Sequence, residues 1–266
     1  AEGPPNHPIP FELPHTPFLE LAAEIKKHVK TPVVTVGAFS EPDKMEAFLE
    51  ESGVDCIAMG RALIADPFLP RKIMRGKVAD ITPCLRCGEC QSGMMRNKTM
   101  RCAVNPYIGR ETEYFHPIPT REHKNLLIVG GGPAGMRLAI MLTERGHKVD
   151  LYEKSGRLGG LLNCADHVWF KWPLRDYKNY LIHQTYKHGV NVHLNCAPTV
   201  DQLNREEYDY VIAAVGSAPA MPPIPGIDGT NVISAVAAYD NMDKLGKRVV
   251  IVDDVISTGG SLHALE

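Results

Sequence analysis

The chain has 266 residues, 44% of them apolar and 23% charged, a formal net charge of −2 and seven cysteines. That is room for one large core or two modest ones, and the near-neutral balance excludes the basic excess of a nucleic-acid binder and an acidic tail. No apolar run approaches the roughly 20 residues that cross a bilayer, no charged-then-apolar leader opens the chain, and clustered cysteines suit a reducing interior, so a cytoplasmic location is expected.

Prolines at positions 4, 5, 8, 10 and 14 predict an extended, irregular start. Thr16 then caps a helix with Pro17 in its first turn, and Leu19, Leu21, Ala22, Ile25 and Val29 give it an apolar face. Pro32 to Val36 reads as a strand ending at Gly37. Ser40, with Asp43 three residues on, predicts the start of a helix that runs to about Glu51 and is closed by Gly53. A strand over Asp55–Met59 and a turn at Gly60-Arg61 follow. This rhythm of helix and strand with glycine turns is that of a parallel α/β array. Two strands cannot close a barrel, so residues 1–76 are expected to be an incomplete piece of a larger unit.

Residues 77–123 are rich in Cys, Pro, Arg and Gly and show no clear periodicity, as expected where a metal centre replaces an apolar core. The run is Cys84-Leu-Arg-Cys87-Gly-Glu-Cys90, then Cys102-Ala-Val-Asn-Pro. Three thiolates at three-residue steps with a fourth further on favour a [4Fe–4S] cluster held by Cys84, Cys87, Cys90 and Cys102. Structural zinc more often uses two separated pairs, and unligated thiols are the remaining alternative. Cys56, inside an apolar strand, is expected to be a small buried residue, and Cys164 and Cys196 to be structural. His167, His183, His188 and His193 stand at no fixed spacing from a nucleophile and are expected to be solvated or capping.

A second α/β pattern begins at Asn125. A strand over 125–129 leads into Gly130-Gly-Gly132-Pro-Ala134-Gly135, a helix over 134–145 closed by Gly146, and a strand from Lys148 to Glu153. Gly130 permits the tight turn, Gly132 lets the backbone approach a pyrophosphate, and Gly135 lets helix pack on strand. The helix start at Ala134 offers free N–H groups to phosphates, and Glu153 can accept hydrogen bonds from an adenosine ribose. A helix near 173–188 and strands over 190–194 and 208–214 follow. The stretch Lys247–Val252 is expected to begin another strand.

Taken together, the parts resemble the iron–sulfur flavoenzyme family of 2,4-dienoyl-CoA reductase, 2-enoate reductase and trimethylamine dehydrogenase, related to old yellow enzyme. The matching stretches are Pro32 to Gly37, Ala58 to Pro67, the Cys84–Cys102 run with Ala103-Val-Asn-Pro106, and the Gly130 turn. The resemblance implies an α/β protein: the end of an incomplete (β/α)8 barrel (1–76), a cluster segment (77–123), a doubly wound Rossmann-like FAD domain (124–230) and an atypical start of a second nucleotide domain (231–266). Gly37, Gly60 and Arg61 would hold the FMN phosphate at the ends of barrel strands seven and eight. Arg157 and Gly160, in Gly156-Arg-Leu-Gly159-Gly160, and Gly216, after a later strand, resemble further FAD contacts. In the family, electrons enter from NAD(P)H at FAD, cross the cluster, and leave from FMN to an activated alkene; an amine is the oxidised substrate in other members. The Cys87-x2-Cys90 spacing looks closer to trimethylamine dehydrogenase.

Two features depart from the family. The first six barrel strands are absent, and with them the substrate pocket, which leaves a non-catalytic electron-transfer module docking on a partner as an alternative; a homo-oligomer is also compatible. Further, Val249-Val-Ile-Val-Asp253-Asp254-Val-Ile-Ser-Thr258-Gly-Gly-Ser261 replaces the expected second glycine turn. It resembles a phosphoribosyltransferase ribose-phosphate loop, in which Asp253 and Asp254 would meet the ribose hydroxyls and Thr258 to Ser261 the 5′-phosphate, so a phosphoribosyltransferase is a further alternative. A truncated or composite chain joined near Gly246–Val250 accounts better for both halves.

Overall fold

The structure, a computed structural model, describes residues 18–95, 99–114, 120–200, 203, 207–219 and 221–252. The expected cap at Thr16 and Pro17 lies outside them. Helix α1 (Leu19–His28) is followed by strand β1 (Val34–Val36), helix α2 (Pro42–Ser52) and strand β2 (Cys56–Ala58). The two strands are parallel, with Val34 opposite Cys56 and Val36 opposite Ala58. Gly53 adopts φ 67° and donates its N–H to the Leu49 carbonyl, closing α2 as its position predicts. The start of α2 differs from expectation. Glu41 is the N-cap and no side chain caps the helix, because Pro42, with its fixed φ and missing N–H, takes the first turn and leaves Ser40 outside.

One face of the β1–β2 pair is bare. Val34 and Val36 are 59% and 55% exposed, while Thr35 on the opposite face is 3% exposed. Cys56, expected to be buried, is exposed on the bare side next to Val34. Apolar parallel strands need cover on both faces, and this pair has it on one. Leu21 and Ile25 of α1 are exposed too, and only Ala22 of its apolar face is buried.

Short helices α3 (Arg61–Ala65) and α4 (Leu69–Met74) lead into the cysteine region, which contains helices α5 (Glu89–Met95) and α6 (Glu111–Tyr114) where no regular structure was expected. Gly88, at φ 74°, sets the start of α5, its carbonyl accepting from the N–H groups of Gln91 and Ser92. Asp66 fastens this region to α4. Its buried carboxylate accepts from the N–H of Phe68 at 3.0 Å, from the N–H of Thr82 at 2.8 Å, and from Lys72.

The second half comprises β3 (Asn125–Val129), α7 (Pro133–Glu144), β4 (Lys148–Tyr152), α8 (Trp172–Lys187), β5 (Asn191–His193), β6 (Tyr210–Ala213) and α9 (Ala235–Tyr239). Its sheet is parallel throughout in the order β5-β4-β3-β6. The first strand of this half is therefore central, and the chain crosses to its far side only at β6. Three consecutive buried residues in each of β3 and β4 reflect cover on both faces. Leu126, Ile128, Met136, Ile140, Leu151 and Leu181 lie at the centre of the core. Each such side chain contributes about 1.5–3 kcal/mol by leaving water.

Ala65 and Val104 belong to the same cluster, and Cys84, Leu85 and Cys102 pack against it, so the cysteine region is built onto the second half. Asp80 accepts from Gln184 Nε2 at 3.0 Å and pairs with Lys187, while Thr82 Oγ1 donates to the Tyr180 hydroxyl at 2.9 Å. The strand expected over 247–252 is not formed. Val249, Val250 and Val252 are 56%, 88% and 68% exposed, and a parallel strand without a neighbour to hydrogen-bond gains nothing from its β-branched residues.

Candidate functional site

The turns that end β1 and β2 face one cavity of about 220 Å3. Val36 to Ser40 line it from the first turn, Ala58 to Ala62 from the second, and Cys84, Arg86 and Gln91 from the cysteine segment. Gly37, Gly60 and Arg61 are thereby brought together. Gly37 has φ 138°, open only to glycine, and Ala38 follows in the left-handed region at φ 47°. That backbone is held by Arg86, whose Nη2 donates to the Ala38 carbonyl at 2.8 Å. The Gln91 side-chain oxygen is buried at this cavity without a hydrogen-bond partner among the described residues. A bound ligand bearing a donor would satisfy it.

Cys84, Cys87, Cys90 and Cys102 all line a second, much smaller cavity of about 20 Å3. Burial pushes the thiols of Cys84 and Cys102 up, only partly offset by N–H groups that point at them. Among the described residues, no three His, Cys, Asp or Glu side chains gather as a site for a metal ion. A zinc ion needs its donors at about 2.0–2.3 Å from one point. The four cysteines border one pocket without meeting that condition among the described residues. Arg61, Cys84 and Arg86 line both cavities, so the two share a wall.

The glycine turn after β3 separates into residues that serve the fold and one that faces space. A Cβ on Gly130, at φ 116°, would stand 2.3 Å from the Ala214 carbonyl oxygen after β6, and one on Gly135 would stand 1.9 Å from the Gly130 carbonyl oxygen. Gly132 is different: a Cβ there would meet only the Cα of Gly160, at 4.0 Å. Bare backbone of Gly132 and Gly160 thus flanks the exposed first turn of α7 at Ala134. This lies at the carboxyl ends of β3 and β6, where the strand order reverses and α/β sheets form their ligand crevice.

Glu153 closes β4 with 7% exposure. Burial pushes its carboxyl up, but hydrogen bonds from the Ser155 N–H and hydroxyl and from the Gly131 N–H, all at 2.8 Å, outweigh it and hold the group below the usual range. It therefore stays ionised and keeps about one acceptor site for a further donor. Arg157 is exposed, and its Nη2 reaches Asp240 at 3.3 Å rather than the glycine turn. Gly216, at φ 72°, lies in the open beyond β6. Of the histidines, expected to be solvated or capping, His188 caps α8 and also reaches Glu144 at 3.3 Å, while His193 bonds Asp150 at 2.8 Å across β4–β5.

Arg86, Gln91 and Trp172 belong to this region and were not singled out from sequence. Arg86 sits between two cysteines, where spacing arguments treat it as filler. Its guanidinium lies 4.6 Å from the ring centroid of Trp172, a contact that spans the two halves and leaves no local pattern.

Residues 14–80 match the family described as NADH:flavin oxidoreductase / NADH oxidase, and residues 124–266 the family described as pyridine nucleotide-disulphide oxidoreductase. The chain is 37% identical over 250 residues to an NADH oxidase of Thermoanaerobacter brockii, covering 92% of this chain and 38% of that protein. It is 36% identical over 264 residues to a cinnamate reductase of Clostridium sporogenes, covering 95% and 36%. Among solved structures, a 2-naphthoyl-CoA reductase in complex with 2-naphthoyl-CoA superposes with TM-score 0.83 at 31% identity, covering 91% of this chain and 37% of that one. The chain therefore spans less than two-fifths of the length of these relatives. Asp253, Asp254 and Thr258 to Ser261 lie outside the described residues. The second family match runs across Gly246–Val250 and through them to residue 266, and the phosphoribosyltransferase resemblance finds no support.

Proposed function

Because the chain belongs over residues 124–266 to the pyridine nucleotide-disulphide oxidoreductase family, and carries over residues 14–80 an NADH:flavin oxidoreductase / NADH oxidase segment, we propose that it is the electron-relay portion of an NAD(P)H-dependent flavin oxidoreductase that reduces an activated alkene. The observation that carries this reading is the shared wall. The cavity at the β1 and β2 turns and the cavity ringed by cysteines have Arg61, Cys84 and Arg86 in common, which is how two redox centres are kept a side chain apart.

In this reading Gly37, Gly60 and Arg61 hold the phosphate of FMN, and Cys84, Cys87, Cys90 and Cys102 hold a [4Fe–4S] cluster. Gly132, Ala134 and Gly160 present backbone to the pyrophosphate of FAD, in a Rossmann-like unit whose strand order places the first strand at the centre. Glu153, kept ionised by its three donors, accepts from the adenosine ribose. Gly130 and Gly135 serve by close packing alone. When bound, the flavins supply hydride chemistry and the cluster passes electrons singly. The chain's residues contribute orientation, a positive wall at Arg61 and Arg86, and thiols that give up their protons as metal binds.

The test is composition. The full-length protein, purified anaerobically and reconstituted with iron and sulfide, is expected to carry iron and sulfide in equal amounts, a visible absorption that bleaches with dithionite, and both FMN and FAD on acid release. Cys90→Ser and Cys102→Ser are expected to lose the iron. Colourless protein holding zinc alone, or flavin of one kind only, would overturn the relay.

A further inference from the structure

Arg86 is 6% exposed and its backbone is in the left-handed region at φ 56°. A long, charged side chain in that position is costly unless its partners compensate. Its partners come from three parts of the chain. Nη2 donates to the carbonyl of Ala38 in the turn after β1, at 2.8 Å. The guanidinium carbon lies over the ring of Trp172, the first residue of α8, 4.6 Å from its centroid, within the range of a cation–π contact. The residue itself belongs to the cysteine segment, two positions after Cys84 and one before Cys87. Arg86 and Arg61 both line the cavity at the β1 and β2 turns. Two guanidinium groups beside two glycine turns make a site matched to a doubly charged phosphate monoester.

We propose that Arg86 is a positioning residue for the flavin phosphate: it holds the Gly37–Ala38 turn in its left-handed conformation and adds a second positive charge to the site, with Trp172 fixing the guanidinium plane from the second half. This rests on the reading of the β1–β2 cavity as the FMN site and goes beyond it in assigning an arginine of the cysteine segment to the nucleotide. The turn needs such a hold because Ala38 is not glycine, and a left-handed alanine relaxes unless its carbonyl is tied.

The experiment compares FMN with riboflavin, which lacks the phosphate, on the deflavinated full-length protein. Arg86→Ala is expected to weaken FMN binding about tenfold or more and leave riboflavin binding within about twofold, with iron and FAD content unchanged. Arg86→Lys, which keeps the charge and loses the flat stacked face, is expected to fall between. Trp172→Leu is expected to weaken FMN in the same phosphate-dependent way. Equal loss of FMN and riboflavin, or loss of iron in Arg86→Ala, would make Arg86 a prop of the cysteine segment and overturn the proposal. So would FMN binding unchanged from wild type. Wild-type protein that binds FAD but no FMN would instead overturn the FMN reading itself, and this inference with it.

Discussion

At Gly132 and Gly135, three residues apart on one turn, the structure gives the same amino acid opposite work. Gly135→Ala would drive a methyl group to 1.9 Å from the Gly130 carbonyl oxygen, and is expected to cost about 2 kcal/mol of stability in urea unfolding. Gly132→Ala meets nothing nearer than 4.0 Å and is expected to change stability by less than about 0.5 kcal/mol while weakening dinucleotide binding at least tenfold, read by FAD retention. Equal stability losses in the two variants would contradict this division. Glu153 gives a pH signature. Its folded pKa is depressed, so its contribution to stability is full above the ordinary carboxylate value of 4.5 and is lost as pH falls through the lower folded value. Glu153→Gln is therefore expected to flatten the acid limb of the stability profile, which urea midpoints across the carboxylate range would show. The turn glycines and Glu153 could be read from sequence because their spacing is set by one local strand–turn–helix unit. Arg86 could not, because its contacts to Ala38 and Trp172 join residues far apart in the chain.

At the level of elements, the sequence pattern holds best where an element makes its contacts locally. β3 occupies the predicted residues, 125–129, and α7 and α8 begin within a residue of theirs, since apolar runs, Pro at the first turn and closing glycines all agree. The stretch Gly160–His167, a 3-10 run, has no period to detect. Residues 247–252 show the reverse failure, strand-like composition without a neighbour. Asp66 is the fastening between α4 and the cysteine region, and its three donors come from residues 68, 72 and 82. Asp66→Ala removes the acceptor of the Phe68 and Thr82 N–H groups and leaves Lys72 with the Asp80 carbonyl, and is expected to destabilise the fold by about 2 kcal/mol. A thermal scan would check it, with exchange of the Thr82 amide rising first. A variant as stable as wild type would show that the fastening carries no energy.

For the whole molecule, the bare face of β1 and β2 is the informative surface. Val34, Val36 and Cys56 stand on it, Val34 directly opposite Cys56, and all three are exposed among the described residues. In a longer protein whose further strands complete a barrel, this face becomes interior. Cys56 is therefore expected to react readily with iodoacetamide in the 266-residue chain and to be protected in the full-length protein, as peptide mapping would show. Equal reactivity in both would argue against a completed barrel. The shared wall at Arg61, Cys84 and Arg86 also bears on how such an enzyme is put together and how it fails. The segment that closes one side of the nucleotide cavity is the one the cysteines must hold in shape. On the proposed relay, metal precedes nucleotide in assembly, and oxygen damage to the centre is expected to release FMN while FAD stays behind, as flavin analysis after air exposure would show.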